Sequence, residues 1–290
     1  MSNIDPTKFL VEADDGLITR VSQPYALYKL KALDEYIKRA GAAMRDKNWR
    51  ERYFIDLQAG PGKNRIGRDV YFGSPLIALT ATFPFTQYRF NELDEANFNV
   101  LQQRVNSSPL KASIKVYQAD ANQVVDEICD EIEKRDQEFI KGVFSCLNVV
   151  FLDPEGLELH WDTVVRLAKM KRMDFIINFS TGGINRLLGT NKVENIQHID
   201  RFFGTSDWPH SLDKKADGKR RAWIDFYLGR LLQFGYKIEI DPEWGNMEMA
   251  IKNSKNVQVY SMIFASKHTL GSKFWGQSTK KAQGPKFQGF

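Results

Sequence analysis

The run Leu147–Leu152 (LNVVFL) constrains the fold of this 290-residue chain more than any other stretch. A strand with one wet face alternates apolar and polar residues, but this one is almost continuously apolar and stops at Asp153-Pro154. Such a strand needs cover on both faces, as in a parallel sheet between two layers of helix. Runs of helical spacing stand on either side, at Ala121 to Lys134 and Trp161 to Met170. Further strands are expected at Tyr53 to Leu57, Gln87 to Asn91, Ile114 to Gln118 and Phe175 to Phe179, alternating with helices. Strand–helix–strand units predict parallel strands joined by right-handed crossovers. The last two expected strands, Tyr236 to Ile240 and Val257 to Ala265, lack a helix between them and can pair antiparallel.

The expected fold class is therefore α/β and Rossmann-like: a seven-stranded, mostly parallel sheet with a final antiparallel pair and helices on both faces. Connection lengths of this kind match the class I methyltransferase architecture. The expected organisation is an N-terminal helical extension (1–50), a sheet domain (51–265) with a helical and basic insertion at about 183–222, and a C-terminal tail (266–290). No stretch approaches the roughly 20 apolar residues of a membrane helix, and MSNIDPTKFL lacks a signal-peptide pattern, so a cytoplasmic protein without a membrane partner is expected. Cys129 and Cys146 lack metal-ligand spacing and read as reduced thiols near the core, with no metal site expected.

In a sheet of this type ligands bind beyond the carboxyl ends of the strands, at the switch point of strand order. The first strand ends at Asp56 and runs into Gln58, Ala59, Gly60, Pro61 and Gly62. Glycines there admit positive φ and let backbone approach a ligand. No Gly-Lys-Ser/Thr follows in register, which excludes a P-loop, and the third glycine of the dinucleotide fingerprint is missing. Glu92, after the second strand, can accept two ribose hydroxyls; its distance from the turn is explained if residues 63–73 form an inserted loop. Asp120, after the third, either receives an adenine amine or caps the next helix. Asp153, after the fourth, either faces a substrate or forms an Asp-Pro turn. Four acids at four successive strand ends suit an adenosine-containing ligand with a non-phosphate tail.

The chain resembles the three-Cys-motif partner protein family (TcmP), a branch of class I S-adenosylmethionine-dependent methyltransferases. The resemblance runs from about residue 25 to 275 and is carried by YFIDLQAGPG, FGSPLIAL, FLDPEG, FFGTSDW and YSMIFASKHTLGSKFW. It implies S-adenosylmethionine as cofactor, with Asp56, Ala59, Gly60 and Gly62 near its amino-acid portion, Glu92 on the ribose and Asp120 on the adenine. Asp153, Pro154 and Glu155 fall at the catalytic fourth-strand motif. It also implies a partner carrying three cysteines, similar to radical-S-adenosylmethionine proteins. Two departures stand out: Gln58 replaces an aromatic, and Glu155-Gly156 replaces the Pro-aromatic pair of base-amine methyltransferases, where the aromatic stacks on a flipped base.

The expected function is methyl transfer, with Asp153 orienting or deprotonating the acceptor. The competing reading is a non-catalytic module that binds S-adenosylmethionine or an adenine nucleotide and docks its partner. A net charge of +5 admits RNA or DNA as acceptor, through Lys214, Lys215, Lys219, Arg220 and Arg221 flanked by Trp208 and Trp223. The same cations also read as a nucleic-acid or partner surface or as a solvated loop, and both tryptophans as packing residues.

Overall fold

The computed structural model describes residues 10–12, 14–137, 140–190, 192–208, 216–238 and 247–283. Two short strands, β1 (Leu10–Glu12) and β2 (Ile18–Val21), precede helix α1 (Ala26–Met44). β3 (Arg52–Asp56) leads into the glycine turn, from which the hairpin β4 (Lys63–Ile66) and β5 (Asp69–Phe72) projects before α2 (Ser74–Leu79). Then β6 (Gln87–Asn91), α3 (Glu95–Asn106), β7 (Ile114–Tyr117), α4 (Ala121–Gln137), β8 (Leu147–Leu152), α5 (Trp161–Ala168) and β9 (Met173–Phe179) alternate. Helices α6 (Thr181–Leu188), α7 (Val193–Phe203) and α8 (Ala216–Leu231) follow, and β10 (Glu248–Lys252), β11 (Gln258–Ala265) and α9 (Thr269–Gln283) complete the described chain.

The main sheet has seven strands in the order β10-β11-β9-β8-β3-β6-β7. β3 pairs in parallel with β6 and β8, while β11 runs antiparallel to both β9 and β10. This is the Rossmann-like arrangement expected from the sequence. Register sets Asp56 level with Phe90 on one side and Phe151 on the other, so β3, β6 and β8 emerge at one edge. Strand order reverses about β3, and the crevice between the ends of β3 and β8 is the switch point.

Alternating side chains feed two cores. Phe54, Phe90, Phe151, Ile176 and Phe264 meet α1, α3 and α9 on one face, and Ile55, Val150, Leu152, Phe175 and Ile177 meet α4, α5, α7 and α8 on the other. Each such side chain, fully buried, contributes about 1.5–3 kcal/mol. Cys129 and Cys146 are free and buried, and burial pushes both thiols up to about 12. No described helix is long and apolar enough to cross a membrane.

Four sequence expectations change. The antiparallel edge is β10; from the expected strand at 236–240 only Lys237 makes a bridge, to Ser266, and residues 239–240 lie outside the described part. The N-terminal extension is more than helical: β1 and β2 join β4 and β5 in a second, four-stranded sheet. Residues 63–73 are accordingly a hairpin that pairs with β2, not a loop. The 266–290 tail contains α9, whose Trp275 is fully buried and stacks on Phe264 at 5.5 Å.

The described part of the 183–222 insertion packs inward as well. Trp208 and Trp223 are both 1% exposed in the core, and the ring of Phe203 stacks on Trp208 at 5.6 Å. Gly204, at φ 67°, ends α7 in the left-handed region, and a Cβ there would lie 2.4 Å from the Trp161 ring. Gly204→Ala combines left-handed strain with overpacking and should destabilise the fold by about 2–5 kcal/mol. Chemical denaturation measures this; an unchanged midpoint contradicts the packing.

Candidate functional site

Asp56 leaves β3 fully buried, and the chain then turns through Gly60 at φ 63° and Gly62 at φ 88°. Those angles favour glycine at both positions, and at Gly62 a Cβ would also press on Leu101 at 3.3 Å. The turn is stitched to its neighbours by residues that carry no motif. Asn91, at the end of β6, donates to the carbonyls of Leu57 and Ala119, both at 3.0 Å, and so joins three strand ends. The Arg104 guanidinium, from α3, donates to the Pro61 carbonyl and pairs with Asp15 at 3.0 Å. Lys63 pairs with Asp14 and Asp15, both at 2.9 Å, so its ammonium is held by acids.

One Asp56 oxygen accepts from the Gln58 N–H at 3.2 Å; the other, Oδ2, is buried and makes no well-formed hydrogen bond, the Ser74 hydroxyl lying near the carboxyl without bonding geometry. Burial pushes the carboxyl up to about 7, opposed by the Ser74 hydroxyl and reinforced by the nearby charge of Asp153. The Gln58 amide likewise has both polar atoms buried and unpartnered, and Gln58 lines the cleft beside the turn. Glu92 binds the turn directly: its carboxylate accepts from Gly60 N–H at 2.8 Å and Asp94 N–H at 2.9 Å. Burial nevertheless raises the Glu92 carboxyl above its ordinary value.

Asp120 is exposed and accepts from the Asn122 N–H at 2.8 Å, which makes it the cap of α4. Asn122 in turn donates to the Glu158 carbonyl and accepts from the hydroxyl of Thr163, fixing the loop after β8. Within that loop Pro154 is buried, and the Glu158 carboxylate accepts the N–H groups of Glu155 and Gly156 at 2.7 and 2.8 Å. Glu155 itself points outward, 61% exposed, and pairs with Arg20 of β2.

Asp153 is not left unpaired. Asn178 of β9 donates to its Oδ1 at 2.8 Å, and Lys29 of α1 forms an ion pair with its Oδ2. The Lys29 ammonium also lies 5.9 Å from the ring centre of Tyr260, whose hydroxyl is buried without a partner. Lys29 and Asn178 carried no sequence signal because they come from a helix face and a strand far apart in the chain, and Tyr260, the first residue of YSMIFASKHTLGSKFW, was not singled out as a site residue.

A cleft of about 250 Å³ joins these groups, lined by Gln58, Gly60, Gly62, Lys29, Asp153 and Tyr260 among others. Ala59, Pro154 and Glu155 also line it, whereas Asp56, Glu92 and Asp120 stand outside that lining. The structure thus brings Ala59, Gly60, Gly62, Asp153, Pro154 and Glu155 together on the cleft, with Asp56 fully buried at the start of the turn and Glu92 tied to the turn through Gly60. The basic segment is separate: Lys219, Arg220 and Arg221 lie on α8, and Arg221 pairs with Asp225 and Glu248. Lys214 and Lys215 lie outside the described residues. The buried rings of Trp208 and Trp223 have no face left for a base.

No protein-family model and no curated protein matches the chain. Among solved structures, a Legionella pneumophila protein of family DUF519 aligns at 11% identity and TM-score 0.48, over 88% of this chain and 91% of its own. A Bacillus cereus O-methyltransferase in complex with SAH aligns at 11% and 0.42, over 82% and 80%. The Streptomyces achromogenes O-methyltransferase TomG, in complex with SAM, aligns at 12% and 0.42, over 82% and 78%. The fold assignment rests on this chain's own strand order.

Asp56 yields a pH prediction. Its folded carboxyl titrates near 7 and its unfolded one near 3.8, so the unfolded state ionises first and stability is lost as pH rises from about 4 to 7. Asp56→Asn removes this loss. Relative to wild type it should gain stability between pH 4 and pH 8, by up to about 4 kcal/mol. Melting both proteins across that range tests it; a difference that does not change with pH contradicts it.

Proposed function

We propose that the chain is an S-adenosylmethionine-dependent methyltransferase whose cofactor lies along the glycine turn and whose acceptor enters beside Asp153. The observation that carries this reading is the pair of unsatisfied groups beside the turn: Asp56 Oδ2 and the Gln58 amide. A buried carboxylate oxygen without a donor is costly, and an ammonium group removes that cost. The Gln58 amide offers both a donor and an acceptor, which suits an α-amino acid end. Glu92 retains lone pairs for ribose hydroxyls while holding Gly60, and Asp120 remains on the adjoining strand end for the adenine.

When bound, the cofactor supplies an electrophilic methyl group on a sulfonium. The chain's contribution is proximity and orientation. Asp153 has one oxygen held by the Asn178 amide and the other by the Lys29 ammonium, so both of its oxygens are engaged and its orientation is fixed. It therefore orients an acceptor hydrogen rather than removing it. Pro154 fixes the backbone after Asp153, and Glu155 with Arg20 forms the rim of the cleft.

Nucleic acid remains the proposed acceptor class, approached by the cations of α8 and the preceding segment, and a three-Cys-motif protein the proposed partner. A non-catalytic S-adenosylmethionine module is the second reading, favoured by one observation: Lys29 already neutralises the carboxylate that would meet an acceptor.

Calorimetry should give one site for S-adenosylmethionine and S-adenosylhomocysteine and none for ATP, with Asp56→Asn weakening both by tenfold or more. Absence of binding by the wild type sinks the proposal. In transfer of labelled methyl to cell RNA, DNA and protein, Asp153→Asn should lower the rate by about 10²-fold with cofactor affinity unchanged. Tight cofactor binding with no transfer to any extract selects the second reading.

A further inference from the structure

We propose a second ligand site, independent of the glycine turn, that binds an amphipathic carboxylate: an acyl or aryl acid with its apolar body inside and its anion at a cationic rim. A cavity of about 560 Å³ opens where β3, β8 and β9 begin, at the opposite edge of the sheet from the turn. That volume falls in the range of small-molecule sites. Its lining is mainly apolar and aromatic, with Met44, Trp49, Phe83, Phe85, Phe144 and Phe274 among its members.

The charge around this cavity is one-sided. Lys47, Arg52, Lys171, Arg172 and Lys267 all line it, against a single carboxylate, Asp174. Asp174 accepts from the Tyr36 hydroxyl at 2.6 Å, and burial raises its carboxyl. Arg52 and Lys267 donate to the carbonyls of Pro84, Ala168 and Met170. Lys47, Lys171 and Arg172 have no carboxylate partner among the described residues. His268, also on the lining, accepts from the Leu270 N–H through Nδ1.

Arg172 is held in place for an anion. Its guanidinium lies 5.1 Å from the ring centre of Trp49 and 5.9 Å from that of Phe144, and its Nε donates to Ser145 at 2.9 Å. The two rings pack at 5.0 Å, and Phe144 remains 46% exposed. Trp49 Nε1 is buried with no acceptor, an unmet donor on the same wall. An apolar body would cover the exposed aromatic surface, and a carboxylate would take up the cations and that N–H. A neutral or cationic amphiphile satisfies only the first requirement.

Calorimetry on the full chain with octanoate, 2-naphthoate and octylammonium tests this. At least one acid should bind one-to-one with a Kd below about 1 mM, and octylammonium at least tenfold more weakly. Arg172→Glu and, separately, the exposed Lys171→Glu should each weaken the acid several-fold, and Ala43→Phe, on the lining, should abolish binding. Melting curves of the three variants exclude unfolding as the cause. The proposal is overturned if neither acid binds, if octylammonium binds as tightly, or if both folded charge reversals leave the affinity unchanged.

Discussion

The guanidinium of Arg104 is the point on which the glycine turn depends. It is nearly fully buried on α3 and donates to the Pro61 carbonyl inside the turn, while Asp15 and the carbonyl of Leu17 hold its other nitrogens. A buried cation keeps its place only if its donors are all spent, so this one group locks a helix, the turn and the N-terminal sheet into a single relation. Asp15 answers with a carboxyl held well below the usual range by Arg104. Asn91 does for the strand ends what Arg104 does for the turn, closing β3, β6 and β7 against one another.

What that scaffold presents is an excess of negative charge in little space. Asp56, Glu92 and Asp153 converge on the turn, and the first two carboxyls are raised by burial. Asp153 is compensated within the fold by Lys29 and Asn178, whereas Asp56 keeps an oxygen without a well-formed hydrogen bond. The asymmetry divides the cleft into an end that lacks a cation and an end that already has one. A ligand carrying an ammonium at one end and a reactive centre further along is the natural complement.

The parallel sheet was legible because LNVVFL and its neighbours are buried on both faces and cannot disguise it. The acids at the strand ends were legible because backbone geometry alone decides where a strand's last residue emerges. β10 was less so: EMAIK is a short edge strand with alternating burial, and edge strands leave a weaker apolar trace than central ones. The N-terminal sheet was missed because its strands of three or four residues gain their stability from each other and from Arg104 rather than from periodicity. Lys29 and Asn178 were invisible for a further reason: on the sequence they are an amphipathic-helix lysine and a strand asparagine, and only the tertiary fold sets them on one carboxylate. Trp208 and Trp223 show the converse, since aromatic neighbours of a basic segment turn out to be core.

The proposed cofactor reading stands on Asp56 meeting the ammonium of a bound amino-acid end. With the free carboxyl titrating near 7, pairing with a cation must shift it toward the anion, so binding at pH 7 must release up to about half a proton. The measurement is the heat of S-adenosylhomocysteine binding at pH 7 in buffers of differing ionisation enthalpy. Proton release is expected from the wild type, and none from Asp56→Asn or when 5′-methylthioadenosine, which lacks the amino-acid end, is the ligand. Binding without proton release, or release that persists in Asp56→Asn, would contradict it.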